Sequence, residues 1–286
     1  MVQSGAKPAM TKSTWADLPR RLGTICIGVP LVWMLLSSFP RVFFMGAHAL
    51  SLWEFVQLEP KTTTLNPGSK LGQYIYCSIS VMLATMAGMT AMHLLPLLLC
   101  IVTGTLILIG RHHWIVGYVM VTIPFSVWQQ LAPRDFASTV SLLLVVWNCD
   151  TGALLAGRLS RKTIAVPGWI QRISPAKSME GFLGGILGGT WTAISWIPTL
   201  IRLASIETSP EFDELWGSFS NRLALGVLLS MLAIMGDLVE SAIKRQSKSK
   251  DSGSILPGHG GVLDRFDSSL LSVLLYQVLL EKVTSA

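Results

Sequence analysis

Residues 220–267 read SNRLALGVLLSMLAIMGDLVESAIKRQSKSKDSGSILPGHGGVLDRFD, an apolar run that passes into a densely charged segment. The first part, 220–243, is long enough to cross the hydrocarbon core of a bilayer as a helix, because each helical residue adds about 1.5 Å. The polar part, 237–267, holds four Asp, one Glu and five basic residues in a chain that is only 13% charged. Charged groups beside a membrane are costly unless they are paired, solvated or bound to a cation, so this segment is the first candidate for a functional site.

The rest of the chain shares the apolar character of this run. It has 286 residues, of which 51% are hydrophobic, and its mean hydropathy is +0.54. This composition predicts an all-α, polytopic integral membrane protein. About nine transmembrane helices are predicted, at 22–39, 42–58, 72–92, 94–110, 114–132, 137–156, 180–203, 220–243 and 268–283.

These segments divide the chain into three parts. A basic N-terminal segment covers 1–21, N-terminal membrane helices cover 22–136, and a C-terminal membrane region covers 137–286 and contains the polar loop 237–267. The four cysteines lie in or at the edges of apolar runs and form no CxxC pair. Neither a disulfide framework nor a structural zinc site is therefore expected.

The positive charge of the chain lies in short loops between the predicted helices. The net charge is +6 and the pI is about 9.3. This distribution favours orientation by the positive-inside rule over nucleic-acid binding, and no nucleic acid is expected as a partner. Most of the 22 Lys and Arg fall on the side of the N-terminus, which predicts a cytoplasmic N-terminus. Loops 157–179 and 244–267 then lie on the same face, where they can meet.

The end of the eighth predicted helix carries a polar face. Asp237, Glu240, Ser241 and Lys244 are spaced i, i+3, i+4 and i+7, so they share one side of the helix. Two carboxylates and a hydroxyl on one face indicate an oxygen-rich site for a hard cation such as Mg²⁺. From the spacing alone, simple pairing of the two carboxylates with Lys244 and Arg245 is an equal alternative.

The loop that follows combines basic residues, glycines and further carboxylates. The basic run 244–250 either holds phosphates or is a lipid-facing cluster that sets topology. In the run 257–261, PGHGG, glycine allows a close backbone approach, and consecutive amides can form an anion-binding nest. Asp264 and Asp267 follow at i and i+3, and they either add carboxylates to the same cation or cap the last helix.

Two blocks of sequence carry a resemblance to a known family. The run S-x-I-K-R-x4-K-D-x-G-x2-L-P-x-H-G-G-V-x-D-R-F-D over 241–267 resembles the signature of the phosphatidate cytidylyltransferase (CDP-diacylglycerol synthase) family. NCDTGA at 148–153, GR at 157–158 and ISPAKSMEG at 173–181 are similar to its DTGAY, GR and SPKK(T/S)WEG region. The chain departs from that pattern at Leu154, Ala176 and Met179, which we expect to affect substrate tuning more than reaction type. The resemblance covers 140–284 well, and before that it rests on hydropathy and on Trp53-Glu54-Phe55.

The resemblance implies transfer of a cytidylyl group from CTP to phosphatidic acid, with CDP-diacylglycerol and pyrophosphate as products. It implies a requirement for Mg²⁺, with a second cation left open, and a catalytic cavity on the cytoplasmic side of the bilayer. The region 137–286 is then the catalytic part and 237–267 its signature loop. The residues implied to be catalytic are Asp237, Asp264, Lys244, Arg245, Lys250, Asp251, His259 and Arg265.

Further roles follow from the same matching positions. The substrate site is implied to include Asp150, Arg158, Ser174, Lys177, Glu180, Ser241, Gly260 and Gly261. The metal ligands are implied to be Asp237 and Asp264, with Asp251 and Asp267 next in line. His259 either donates to a phosphate or orients Asp264, and a role in ordering the loop is an equal alternative.

Two other functions and two other features stay open at the level of sequence. A related enzyme could use another lipid phosphate as the acceptor, and a cation-coupled transporter could use the carboxylates as an ion path, although no internal repeat supports a transporter. The spacings of Gly184 with Gly188 and of Gly185 with Gly189 predict close helix packing, within the chain or across a homodimer. Glu54, inside the second predicted helix, belongs either to a proton path or to a structural pair.

Overall fold

The computed structural model describes residues 28, 30–58, 70–89, 112–160, 164–255 and 260–285, and within these ranges every extended regular element is a helix. We number the helices in chain order. They are α1 (Pro30–Ser38), α2 (Pro40–Gln57), α3 (Lys70–Met89), α4 (His112–Gly117, the π-helical turn Tyr118–Thr122 and Ile123–Arg134), α5 (Phe136–Leu159), α6 (Gly168–Ile173), α7 (Met179–Trp191, the π-helical turn Thr192–Trp196 and Ile197–Leu203), α8 (Pro210–Trp216), α9 (Phe219–Gln246) and α10 (Leu263–Ser285).

The helices identify a membrane protein. Within the described ranges α4, α5 and α9 are each long and apolar enough to cross a bilayer. The count rises to four if α1 and α2, which meet at a bend of 119°, form one broken span. Eight of the nine predicted segments overlap a helix, whereas 94–110 lies outside the described residues. The all-helical membrane architecture is confirmed, and the number of spans stays a prediction.

The bend between α1 and α2 has a local cause. Pro40 occupies the first turn of α2, where its missing N–H is not needed by the helix. A proline disfavours the helical conformation of the residue before it, and Phe39 has φ −138° and ψ 56°. The chain therefore leaves α1 and starts α2 in a new direction.

Side-chain caps fix where several helices begin. Asp135 Oδ1 accepts the N–H of Ser138 at the start of α5, at 2.9 Å. Ser178 Oγ accepts the N–H of Gly181 at the start of α7, at 3.1 Å. Each acceptor satisfies one of the amides that have no partner in the first turn of a helix. Because Ser178 caps α7, the preceding residue, Lys177, lies in the loop before this helix.

Small residues bring α5 and α7 into backbone contact. A Cβ on Gly188 would lie 2.7 Å from the Asn148 carbonyl oxygen, and a Cβ on Gly184 would overlap the side chain of Ala156. The glycine stripe of α7 therefore packs within the chain, which is the first of the two alternatives predicted from its spacing. A homodimer stays a prediction, without support from this stripe.

Aromatic packing joins the N-terminal helices to the start of α10. The Phe44 ring of α2 stacks on Trp128 of α4 with centroids 4.9 Å apart, and Phe125 lies 5.2 Å from Phe266. Nearby, α9 and α10 touch, since a Cβ on Gly236 would lie 2.5 Å from the Asp267 carbonyl oxygen. This contact sets α10 against the polar end of α9.

Candidate active site

A cavity of about 410 Å³ opens where α5 and α9 end and α10 begins, beside the loop before α7. Its volume lies within the range of small-molecule sites. Part of its wall is apolar, formed by Leu154, Phe182 and Ile234 among others. The predicted site residues that line it are Asp150, Ser174, Lys177, Asp237, Lys244, Asp251, Asp264, Arg265 and Asp267. Both blocks of the sequence resemblance therefore meet at one cavity.

Three carboxylates form a compact trio at this cavity: Asp237 and Asp267 line it, and Glu240 lies beside them. One oxygen from each of Asp237, Glu240 and Asp267 lies within 4.8 Å of the others. Glu240 and Asp267 are buried, and no described residue donates a hydrogen bond to Oε1 of Glu240. A buried carboxylate oxygen without a donor, beside two further carboxylates, is the donor set that a hard cation such as Mg²⁺ prefers. The residues therefore fit a divalent cation at this point.

This grouping differs from the sequence expectation for Asp264. Oδ1 of Asp264 accepts from Lys244 Nζ at 2.7 Å, and Oδ2 accepts the Gly261 amide at 2.8 Å. The Ser252 amide lies 3.2 and 3.1 Å from the two oxygens. Asp264 is thus occupied by protein donors, and Glu240 and Asp267 are the carboxylates that lie with Asp237. Asp251 also lies outside the trio.

Hydrogen bonds keep the Asp264 carboxylate ionised. Burial alone raises the pKa of this group, but the bonds from Lys244 and from the Gly261 and Ser252 amides outweigh that cost. The pKa of Asp264 therefore lies below its ordinary value.

Two lysines meet the carboxylates from different elements. Lys177, in the loop before α7, lies 2.5 Å from Asp237 Oδ2. Lys244 is 8% exposed and forms ion pairs with both Glu240 and Asp264. Lys244 therefore links the end of α9 to the first turn of α10. Lys177 links α9 to the segment 173–181, which belongs to the second block of the sequence resemblance.

Asp150 approaches the trio from α5. Ser268 Oγ lies 3.2 Å from both oxygens of Asp150, and the Ser268 amide donates to Asp267 Oδ1 at 2.7 Å. A single serine thus bridges Asp150 and Asp267.

Other predicted residues lie outside the cavity wall. Arg158 and Lys250 are exposed, and Ser241 Oγ donates to Asp237 Oδ1 at 3.3 Å. Glu180 Oε1 accepts the Ile164 amide at 2.9 Å, so it holds the loop after α5. His259 lies outside the described residues.

Arg245 and the glycines of the signature loop have structural partners. Arg245 donates to the carbonyl oxygens of Ile173 and Ser249, both at 2.9 Å, and so ties the loop after α9 to the end of α6. This contact confirms that the loops around 157–179 and 244–267 meet. The amide of Gly261 is taken by Asp264, and Gly260 has a positive φ of 81° that suits glycine.

Glu54 is the residue whose role the sequence left unassigned. Its carboxylate is 3% exposed and accepts the amides of Val262 and Leu263 at 3.0 and 2.8 Å. It also accepts from Ser252 Oγ at 3.1 Å. A lone glutamate within an apolar helix indicates a buried partner. The residues next to Glu54 in the sequence do not indicate that this partner is the signature loop.

These features identify a helical membrane protein with a cavity at the ends of its helices that is lined by carboxylates and basic groups. The model of the cytidylyltransferase family matches residues 19–283, and the chain belongs to that family.

Similar proteins carry a more specific name. A protein named phosphatidate cytidylyltransferase from Staphylococcus saprophyticus subsp. saprophyticus is 44% identical over 140 residues, 47% of this chain and 47% of that protein. One of the same name from Staphylococcus aureus is 42% identical over 139 residues, 48% of this chain and 46% of the relative. One from Rickettsia typhi is 33% identical over 166 residues, 56% of this chain and 67% of the relative. The chain spans about half the length of the staphylococcal relatives that it matches.

Proposed function

We propose that this chain transfers a cytidylyl group from CTP to phosphatidic acid and releases CDP-diacylglycerol and pyrophosphate. The observation that carries the proposal is the cavity in which both sequence blocks meet, with Asp150 and Lys177 on one side and Asp237, Lys244 and Asp267 on the other. Membership of the cytidylyltransferase family and the names of the similar proteins support the same reaction.

The reaction joins two anions. An oxygen of the lipid phosphate attacks the α-phosphorus of CTP, and a new P–O bond forms. The bond from the α-phosphorus to the oxygen that bridges to the β-phosphate breaks, and pyrophosphate leaves with that electron pair. Because the attacking phosphate is already ionised near neutral pH, the protein supplies positioning and charge neutralisation rather than a general base.

The charges of the cavity support a need for a bound cation. Among the described lining residues five are carboxylates, namely Asp150, Asp237, Asp251, Asp264 and Asp267, and three are basic, namely Lys177, Lys244 and Arg265. With all of them ionised the wall carries more negative than positive charge. Two further anions would be repelled there unless a cation joined them.

In the proposal Asp237, Glu240 and Asp267 hold Mg²⁺. When bound, this ion supplies neutralisation of the phosphate oxygens at which charge develops. Lys177 and Arg265 contact phosphate groups of the substrates, since both line the cavity. Lys244, held between two carboxylates, keeps the ends of α9 and α10 in register.

The orientation in the membrane is part of the same proposal. In the proposal the N-terminus and the cavity lie on the cytoplasmic side, with about nine spans in total, and the positions of the basic loops support this orientation. CTP then enters from water and the lipid from the bilayer. The apolar wall of Leu154, Phe182 and Ile234 suits the glycerol and acyl parts of a lipid phosphate.

The test is a transfer assay with the full chain in lipid nanodiscs. CTP labelled at the α-phosphorus is incubated with Mg²⁺ and a panel of lipid phosphates, and label in the lipid fraction and pyrophosphate are measured. We expect both products with phosphatidic acid and neither without lipid phosphate. Label transferred only to another acceptor, such as a prenyl-glycerol phosphate, contradicts the substrate, and no transfer to any acceptor contradicts the reaction.

A further inference from the structure

We propose that Glu54 of α2 is a positioning residue, which holds the signature loop and the first turn of α10 so that the carboxylates of the cavity face one another. Its effect on rate rests on the proposed function, whereas its effect on the loop does not. The signature pattern itself does not include Glu54, which precedes the loop by about two hundred positions.

The first step is the set of bonds that Glu54 makes. Its carboxylate accepts from Val262 N, Leu263 N and Ser252 Oγ, and it is almost fully buried. Three donors fill most of the sites at which a carboxylate accepts in a plane. This arrangement supports the structural alternative for Glu54 over a proton path, because the donors are backbone amides and a hydroxyl.

The second step is the position of these amides at the beginning of α10. The first N–H groups of a helix have no acceptor within it, and they form its positive end. A cap from the preceding residues supplies the acceptor in most helices. Here the acceptor for Val262 and Leu263 is a charged group from another helix, and hydrogen bonds to a charged acceptor are about twice as strong as neutral ones. Glu54 therefore fixes both the start and the direction of α10.

The third step connects Glu54 to the cavity. Ser252 is held from two sides, since its hydroxyl donates to Glu54 and its amide donates to Asp264. Asp264 in turn pairs with Lys244, which pairs with Glu240 of the carboxylate trio. Asp267 follows one turn after the amides that Glu54 binds. A shift of the loop at Glu54 therefore moves Asp264 and Asp267, which lie on α10, relative to Asp237 and Glu240 on α9.

The glycines of the loop give a separate observation. A Cβ on Gly253 would lie 2.7 Å from Cδ of Glu54, and a Cβ on Gly261 would lie 2.5 Å from its Oε2. Real Cβ atoms do not approach so closely, so glycine at both positions makes room for this carboxylate. The loop is thus shaped around Glu54 by its backbone as well as bonded to it.

The end of α2 is itself anchored, so that it can act as a fixed support. His113 Nε2 lies 3.0 Å from the Phe55 carbonyl oxygen, and the two rings stack with centroids 4.6 Å apart. Ser247 Oγ donates to the carbonyl oxygen of Leu58. The loop after α9 is therefore hydrogen-bonded to the C-terminal end of α2 at two points, through Ser247 to Leu58 and through Ser252 to Glu54.

The experiment compares Glu54→Gln with Glu54→Asp and with the matched control Gln57→Ala, an exposed residue of the same helix. In Glu54→Gln an amide NH₂ faces donors that need an acceptor, whereas Glu54→Asp keeps the charge. Hydrogen exchange of the peptide around 260–266 is measured without substrate, together with kcat and KM in nanodiscs. We expect faster exchange and a kcat reduced about 10- to 100-fold in Glu54→Gln, partial rescue in Glu54→Asp, and control behaviour like wild type.

The outcomes separate this inference from the proposed function. If wild type transfers label but Glu54→Gln keeps wild-type exchange or wild-type kcat, the positioning role is overturned. A purely structural role would reduce the yield of folded protein without lowering kcat per folded molecule. If Glu54→Gln does not fold, Ser252→Ala, which removes one of the three donors, is measured in its place by the same criteria. If wild type is inactive with every lipid phosphate, the proposed function fails. The hydrogen exchange of the 260–266 peptide then tests the positioning role of Glu54 alone: faster exchange in Glu54→Gln supports it, and wild-type exchange overturns it.

Discussion

Lys244 offers the sharpest test of how the two signature helices are joined. Its ammonium lies between Glu240 and Asp264, and its side chain is almost fully buried. Lys244→Met keeps the length and helix propensity of the side chain but removes the charge. Two buried carboxylates then face each other without their shared cation. Removal of one partner from a buried ion pair costs about 3–5 kcal/mol, and we expect a loss of unfolding free energy in that range at pH 7.

The pH dependence of this loss follows from Asp264. The pKa of Asp264 in the folded protein lies below its ordinary value. A carboxyl with a lowered pKa contributes stability above its unfolded pKa, about 3.9, and that contribution is lost as pH falls through the folded pKa. In Lys244→Met the pKa of Asp264 rises, so the carboxyl is protonated earlier as pH falls. The stability difference between wild type and Lys244→Met should therefore shrink from pH 7 towards pH 4.

The assay is equilibrium unfolding in mixed detergent micelles, followed by tryptophan fluorescence, at several pH values and without Mg²⁺. The matched control is Lys250→Met, which removes an exposed charge from the same loop and should stay within about 0.5 kcal/mol of wild type. A Lys244→Met variant within about 1 kcal/mol of wild type at pH 7 would refute the argument from burial. A difference that stays constant down to pH 4 would refute the part assigned to Asp264.

Further predictions concern the cation and the helix packing. Asp237→Asn and Glu240→Gln should each raise the Mg²⁺ concentration for half-maximal transfer at least about tenfold, whereas Asp264→Asn should lower kcat and leave that concentration unchanged. An equal shift in all three variants would contradict the grouping of the trio. Gly188→Ala should destabilise the protein by about 1–3 kcal/mol in the same unfolding assay, because the added methyl meets the carbonyl of α5. Gly46→Ala, where the methyl meets open space, is the control, and similar losses in both would contradict the packing argument.

The helices and part of the site follow from patterns that are local in sequence. Apolar runs predict helices because the bilayer sets their length and composition. The i, i+3 spacing predicts that Asp237 and Glu240 share a face, and the structure confirms that both lie near one point. The choice between Asp264 and Asp267 could not be made in this way. Both residues lie near the beginning of α10. The contact between α9 and α10 at Gly236 decides which of the two carboxylates faces Asp237.

Long-range contacts explain what the sequence could not supply. Glu54 has no neighbour along the chain that reveals its partners, because all three donors come from the signature loop. Its isolation in an apolar helix indicates a buried role but not which one. Similarly, the spacing of Gly184 and Gly188 predicts a close contact, while only the fold shows that α5 is the surface they meet.

The basic run of the signature loop shows why matching positions do not imply one shared role. Lys244 shares a helix face with Asp237, since seven residues are close to two helical turns, and it therefore points to the carboxylates. Arg245 is rotated by about 100° from it and donates instead to carbonyl oxygens at Ile173 and Ser249. Lys250, beyond the end of α9, is exposed. Of these three cations only Lys244 lines the cavity, and it is buried between two carboxylates. Lys177 has one carboxylate partner, Asp237, and Arg265 also lines the cavity, so our proposal assigns the substrate phosphates to these two residues.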